Sequence, residues 1–151
     1  MARDDAFNAA LRLLKTRERS EKELASRLQR KGFETKAITV AMDRCREYGY
    51  VDDTRFARCK ARQLLSSGRA IGGRLRRELQ LAGVGKELAE QTMEELQEDF
   101  HEETLLANLL ERRFASFDYR QADDREKRRV VNYFLRRGFA LATVLELLKK
   151  P

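Results

Sequence analysis

The chain has 151 residues, 32 of them Lys or Arg and 25 Asp or Glu, so 38% is charged and the net charge is +7. Eight glycines and one proline are too few for the tight turns of a β-sandwich or barrel, and they exclude collagen-like and proline-rich disordered chains. Hydrophobic residues make up 42%, enough for a core, yet no run of about 18 apolar residues exists to span a bilayer. The N-terminal Met1-Ala2-Arg3-Asp4-Asp5 lacks the apolar stretch of a signal peptide. The expectation is a cytoplasmic protein whose Cys45 and Cys59 stay reduced.

In chain order, Phe7, Ala10, Leu11 and Leu14 recur at the i, i+3, i+4, i+7 spacing of a buried helix face. Ser20-x-x-Glu23 has capping-box spacing and opens a second helix, with Leu24 and Leu28 at its core and Gly32 at its end. Ile38, Ala41, Met42 and Cys45 give a third. The set then recurs. Leu65 precedes Gly83 by 18 residues, as Leu14 precedes Gly32. Leu75 and Leu79 stand eight and four before Gly83, and Ala89, Thr92, Met93 and Leu96 follow it. A third copy runs from Leu105, Leu106, Leu109, Leu110 and Phe114 through a polar link, Ser116–Asp124, to Val130, Phe134 and Gly138, then Phe139, Val144 and Leu148. Asp99-x-x-Glu102 and Asp123-x-x-Glu126 repeat the capping spacing. The corner glycines lie 51 and 55 residues apart, each followed by an apolar residue, which is the pattern of a helix closed by a left-handed glycine. Nine helices are therefore expected, all-α, as three tandem three-helix repeats over residues 1–51, 52–98 and 99–151. Each repeat has a thin core, so neighbours should bury one another's faces in an elongated, curved array.

Charge is unevenly placed. Residues 54–77 carry Arg55, Arg58, Lys60, Arg62, Arg69, Arg74, Arg76 and Arg77 and no acid, whereas residues 78–103 carry nine acids against Lys86 alone. A run of cations without carboxylates repels itself, and i, i+4 pairing within it brings no relief. Seven of the eight are arginines, whose planar fork suits phosphate and carboxylate. Residues 55–77 therefore read as a surface for an anionic partner, nucleic acid or acidic protein. Arg125, Lys127, Arg128, Arg129, Arg136 and Arg137 form a second basic cluster. The acidic stretch either pairs with the basic one or faces a basic partner, and the sequence leaves both open.

Catalytic chemistry finds little footing. His101 is the single histidine and stands near a helix start, without the further ligands of a metal site. Cys45 reads as core, and Cys59 lies among cations but has no histidine nearby. Gly72-Gly73 reads as a helix-start linker, no phosphate-binding glycine loop occurs, and Asp52-Asp53 reads as helix capping. Phe7, Phe33, Phe56, Phe134 and Phe139 fall at core positions, while Tyr48, Tyr50 and Tyr119 lie near helix ends and read as exposed. No enzyme activity, cofactor or metal is expected.

Gly49-Tyr50-Val51-Asp52-Asp53-Thr54-Arg55-Phe56-Ala57 resembles the G-Y-L/V-D-D-x-R-F-A signature of the RecX family of recombination regulators. Ser20-x-x-Glu23-Leu24 with Leu28-x-x-Lys31-Gly32-Phe33, Arg74-Leu75-x-x-Glu78-Leu79-x-x-x-Gly83-Val84 and Phe134-Leu135-x-x-Gly138-Phe139 are similar to that family's repeats. The family pattern often has a glycine where this chain has Ile71, followed here by Gly72 and Gly73. The resemblance implies a cytoplasmic bacterial protein that binds the RecA recombinase and its filament on single-stranded DNA and inhibits ATPase, strand exchange and co-protease activity. It implies a monomer, with single-stranded DNA as a contact within the filament. The family signature has no assigned catalytic residue, and within it Arg55 is the candidate contact. On the charge pattern, the candidate partner- or nucleic-acid-binding residues are the eight cations of 55–77 with Arg125, Lys127, Arg128 and Arg129. The alternatives are a direct DNA-binding helical module without recombinase contact, which would show strong salt dependence, and a small hydrolase.

Overall fold

A computed structural model describes residues 2–150, with side chains from Asp4 onward. Met1, Pro151 and the side chains of Ala2 and Arg3, which belong to the expected terminal repeats, lie outside the described residues. Among these residues the fold is all-α, with nine helices: α1 (Ala2–Thr16), α2 (Glu21–Arg30), α3 (Thr35–Glu47), α4 (Asp53–Ser66), α5 (Gly72–Leu81), α6 (Lys86–Leu96), α7 (Glu102–Arg113), α8 (Asp124–Arg136) and α9 (Leu141–Leu148). The long polar link expected before α8 is irregular chain.

Two compact units hold these helices. The first runs to Lys60 and includes Leu79–Ala89; the second takes Ala61–Glu78 and everything from Glu90. In the first, α1 packs on α3 and both pack on α2, burying Ala6, Phe7, Ala10, Leu24, Leu28, Ala41, Met42, Cys45 and Val51. Burial raises the Cys45 thiol's pKa, which suits an inert core residue. In the second, α9 packs on α7 and α8 around Leu106, Leu109, Val130, Phe134, Phe139 and Val144. Phe134 stands edge-on to Phe114, Tyr133 and Phe139 at 5.3–5.9 Å between centroids. That geometry sets the positive edge of one ring against the negative face of the next.

The three glycine corners are alike. Gly32, Gly83 and Gly138 have φ of +94°, +102° and +99°. At each, the glycine N–H donates to the carbonyl three residues back and the next residue's N–H to the carbonyl five back: Phe33 to Leu28 (3.3 Å), Val84 to Leu79 (2.9 Å), Phe139 to Phe134 (3.2 Å). This is the double bond pattern of a left-handed helix stop.

Two of the corners are also docking points. Ser20, fully buried at the start of α2, accepts from Glu23 N–H (3.1 Å) and donates its hydroxyl to the Ala82 carbonyl (2.6 Å) beside Gly83. Ile71, just before α5, donates its N–H to the Arg137 carbonyl (2.8 Å) beside Gly138. The corner closing α5 sits on the start of α2, and the corner closing α8 sits on the start of α5. A side chain has no room there: a Cβ on Gly83 would lie 2.5 Å from Ser20 Oγ, and one on Gly138 would collide with the Ile71 carbonyl oxygen.

The capping expectations divide. Ser20 and Asp123 accept from the N–H three residues on, as expected, but Glu23 turns away from the box to Arg17 and Arg19. Asp99 is not a cap: α7 starts on His101, which makes no side-chain cap bond, and Asp99 pairs with Arg62. Glu102 accepts from Ala140 N–H at the head of α9 (2.8 Å). A nearby cation and a bare amide outcompeted the local box.

Replacement tests the corners. Gly32→Ala meets nothing within 4 Å, so backbone strain alone should cost about 1 kcal/mol. Gly138→Ala adds a backbone collision and should lower the urea midpoint well beyond that. Equal midpoints for the two variants in urea titrations followed by circular dichroism would refute the docking role.

Candidate anion-binding interface

The signature block is a corner with every member engaged. Gly49 (φ +73°) closes α3, and Tyr50 N–H donates to Cys45 O at 2.8 Å. Val51, Phe56 and Ala57 are buried. Asp52 caps α4, accepting from Thr54 N–H (2.9 Å) and Arg55 N–H (3.2 Å). Asp53 instead caps a different helix, accepting from Glu21 N–H at 2.8 Å. Burial raises the Asp53 carboxyl's pKa, against the pull of that N–H. Arg55 donates to Glu18 (2.8 Å) and to the carbonyls of Gly49 (3.1 Å) and Tyr50 (3.4 Å). Its guanidinium thus ties α4 to the α3 corner.

The long basic run is partly neutralised from the acidic one. Arg62 pairs with Asp99 (3.1 Å), Arg74 with Glu78 (2.7 Å) and Arg76 with Glu90. The Arg74–Glu78 pair is an i, i+4 contact that the sequence reading did not count, because Glu78 lies one residue beyond the run. Arg58 is also partnered.

Arg69, Arg77, Arg125 and Arg129 are exposed, and Lys60 is half-buried. None of these five makes an ion pair or side-chain hydrogen bond among the described residues. Lys127 stacks over Tyr119 at 4.4 Å, and Arg128 donates to its own helix at Asp124 O (3.3 Å). Arg55, Arg58 and Lys60 fall in the first unit and the other nine candidates in the second.

Sequence reasoning overlooked Lys22, Arg27 and Arg30 on α2, all exposed and without an ion pair among the described residues. Counted along the chain they look balanced by Glu21 and Glu23. In space Glu21 pairs with Arg46, and Glu23 binds Arg17 (2.6 Å) and Arg19 (2.5 Å), which leaves the α2 cations unopposed. The signal available in the sequence was their i, i+5, i+8 spacing on one helix.

Neither cysteine is bridged: Cys45 is buried and Cys59 exposed. Tyr48 and Tyr50 are exposed, with their rings 5.5 Å apart, while Tyr119 is half-buried. No cluster of three or more His, Cys, Asp or Glu suited to a metal occurs among the described residues. None of their helices is long and apolar enough to cross a membrane.

Residues 6–45 match the model of the first three-helix domain of RecX. Regulatory protein RecX of Syntrophotalea carbinolica is 50% identical over 144 residues, 95% of this chain and 94% of its own length. The chain belongs to the RecX family. Regulatory protein RecX of Trichlorobacter lovleyi is 36% identical over 97% of this chain and 95% of its own. The fold is that of a RecX crystal structure from Lactobacillus salivarius, with a TM-score of 0.75 at 19% identity, covering 97% of this chain and 96% of that one. A second crystal structure, of regulatory protein RecX, gives 0.74 over 98% of this chain and 73% of its own. These relatives are named as regulatory proteins.

The cluster at the start of α2 carries a pH dependence. Burial pushes Glu23 up, but the hydrogen bonds and charges of Arg17 and Arg19 outweigh it and hold its carboxyl below the usual range. A carboxyl lowered on folding stabilises above its unfolded value and loses that contribution as pH falls through the folded one. Glu23→Gln should therefore cost about 1–2 kcal/mol at neutral pH, where it removes the carboxylate paired with the buried Arg19, which keeps its bonds to Leu13 O and Thr16. The gap from the unaltered chain should close below about pH 4, as urea midpoints measured across pH will report.

Proposed function

We propose that this chain binds the RecA recombinase, above all its filament on single-stranded DNA, and inhibits its ATPase, strand-exchange and co-protease activities. The observation that carries this reading is identity to proteins named regulatory protein RecX over nearly the whole length of both partners. On this reading the chain acts as a cytoplasmic monomer, without a cofactor or catalysis of its own. The repeats 1–51, 52–98 and 99–151 serve as its docking modules.

The cations left unpaired within the fold support an anionic target. Arg69, Arg77, Arg125 and Arg129 present guanidinium forks to solvent, and acidic recombinase surface or DNA phosphate within the filament fits them. Arg55, Arg62, Arg74 and Arg76 have internal acids to displace first, so their part in binding is smaller.

The test is RecA-dependent ATP hydrolysis on single-stranded DNA with substoichiometric protein added. Hydrolysis should fall, and no inhibition at any ratio would overturn the reading. Equal inhibition of an unrelated DNA-dependent ATPase would point to a direct DNA-binding module instead. Reversing Arg69, Arg77, Arg125 and Arg129 to Glu should raise the protein needed for half-inhibition about tenfold or more. Reversing Arg12 and Lys15 on α1 should change it little.

A further inference from the structure

Leu81 is 71% exposed, the highest fraction among the exposed large apolar side chains. It closes α5, two residues before Gly83. At the matching places before Gly32 and Gly138 stand Arg30 and Arg136, both exposed. The next position shows the same exchange: Ala82 in the middle corner, Lys31 and Arg137 in the others. All three corners close through the same pair of backbone bonds, so the turn itself does not call for leucine or alanine. The middle corner has two apolar residues where its sisters carry four cations. A leucine exposed at the rim of a groove otherwise lined by charged and small residues offers an apolar contact to whatever binds there.

Leu81 borders a groove of about 260 Å³ between α2 and this corner, lined by Lys22, Glu23, Ser26, Arg27, Arg30 and Leu81–Gly83. All of these residues belong to the first unit. Lys22, Arg27 and Arg30 have no ion pair among the described residues, and the one acid on the wall, Glu23, is held by Arg17 and Arg19. The Ala82 carbonyl is already bound to Ser20. The groove therefore presents three unopposed cations and a serine hydroxyl around one aliphatic side chain.

We propose that this groove docks a short acidic peptide segment of a partner protein. Its carboxylates meet Lys22, Arg27 and Arg30, and one aliphatic side chain packs on Leu81. Charge complementarity fixes the sign of the occupant, and Leu81 fixes its class. A phosphate backbone uses the cations but has no apolar group for an exposed leucine, and the sister corners put arginine where a phosphate contact would favour it.

Fluorescence anisotropy of the full chain with a labelled glutamate-rich peptide carrying one central leucine tests this. Saturable binding is expected, weakened about tenfold or more by Leu81→Ser and, separately, by Arg27→Glu with Arg30→Glu. These side chains are exposed, so the circular dichroism melt should not move. Replacing the peptide's leucine by serine should weaken binding to the unaltered chain and leave binding to Leu81→Ser unchanged. No binding, or binding indifferent to Leu81, overturns the proposal. So does a single-stranded oligonucleotide that displaces the peptide and binds Leu81→Ser as well as the unaltered chain, which would make the groove a phosphate surface.

Discussion

Within each compact unit, the closing turn of one helix rests on the opening turn of an earlier one. Ser20 satisfies an orphan amide of α2 and the Ala82 carbonyl with a single buried hydroxyl. Ile71 N–H does similar work for the Arg137 carbonyl. Both corners need a residue at positive φ and no Cβ, because a side chain there would occupy the space of the partner turn. Helix ends leave polar backbone groups unpaired, and these contacts dispose of two ends at once.

Charge follows from that arrangement. Within the second unit Arg76 meets Glu90, and Arg62 meets Asp99 just beyond α6. The polarised middle of the sequence is thus in part a set of internal pairs near the surface, each worth little by itself, which offset some of the local repulsion. Among the cations without an ion pair in the described residues are Arg69 and Arg77 around α5, Arg125 and Arg129 on α8, and Lys22, Arg27 and Arg30 on α2.

The family signature has a physical reading on the same terms. Gly49 to Ala57 is a corner in which one aspartate caps its own helix, the next caps another, and an arginine gathers two carbonyls and a glutamate. Such a block holds α4 in place. As a motif it closes many bonds within nine residues.

The sequence by itself determined the all-α class, the nine helices and the three glycine corners. Each of these is local, arising from apolar residues at helical spacing and from a left-handed turn that glycine adopts without strain. It also made Ser20, Asp52 and Asp123 legible as caps. Only the tertiary structure decided what each charge does. Asp99 looks like a cap and is a partner of Arg62, Glu23 looks like half of a capping box and neutralises Arg17 and Arg19, and Asp53 caps a helix far away in sequence. Electrostatic partners are chosen by distance in space, and the carboxylates that answer an arginine lie up to 40 residues away along the chain. The exposed Leu81 belongs to the same lesson. In the sequence it is one more apolar residue in a helix, and only the fold turns it outward beside three unopposed cations.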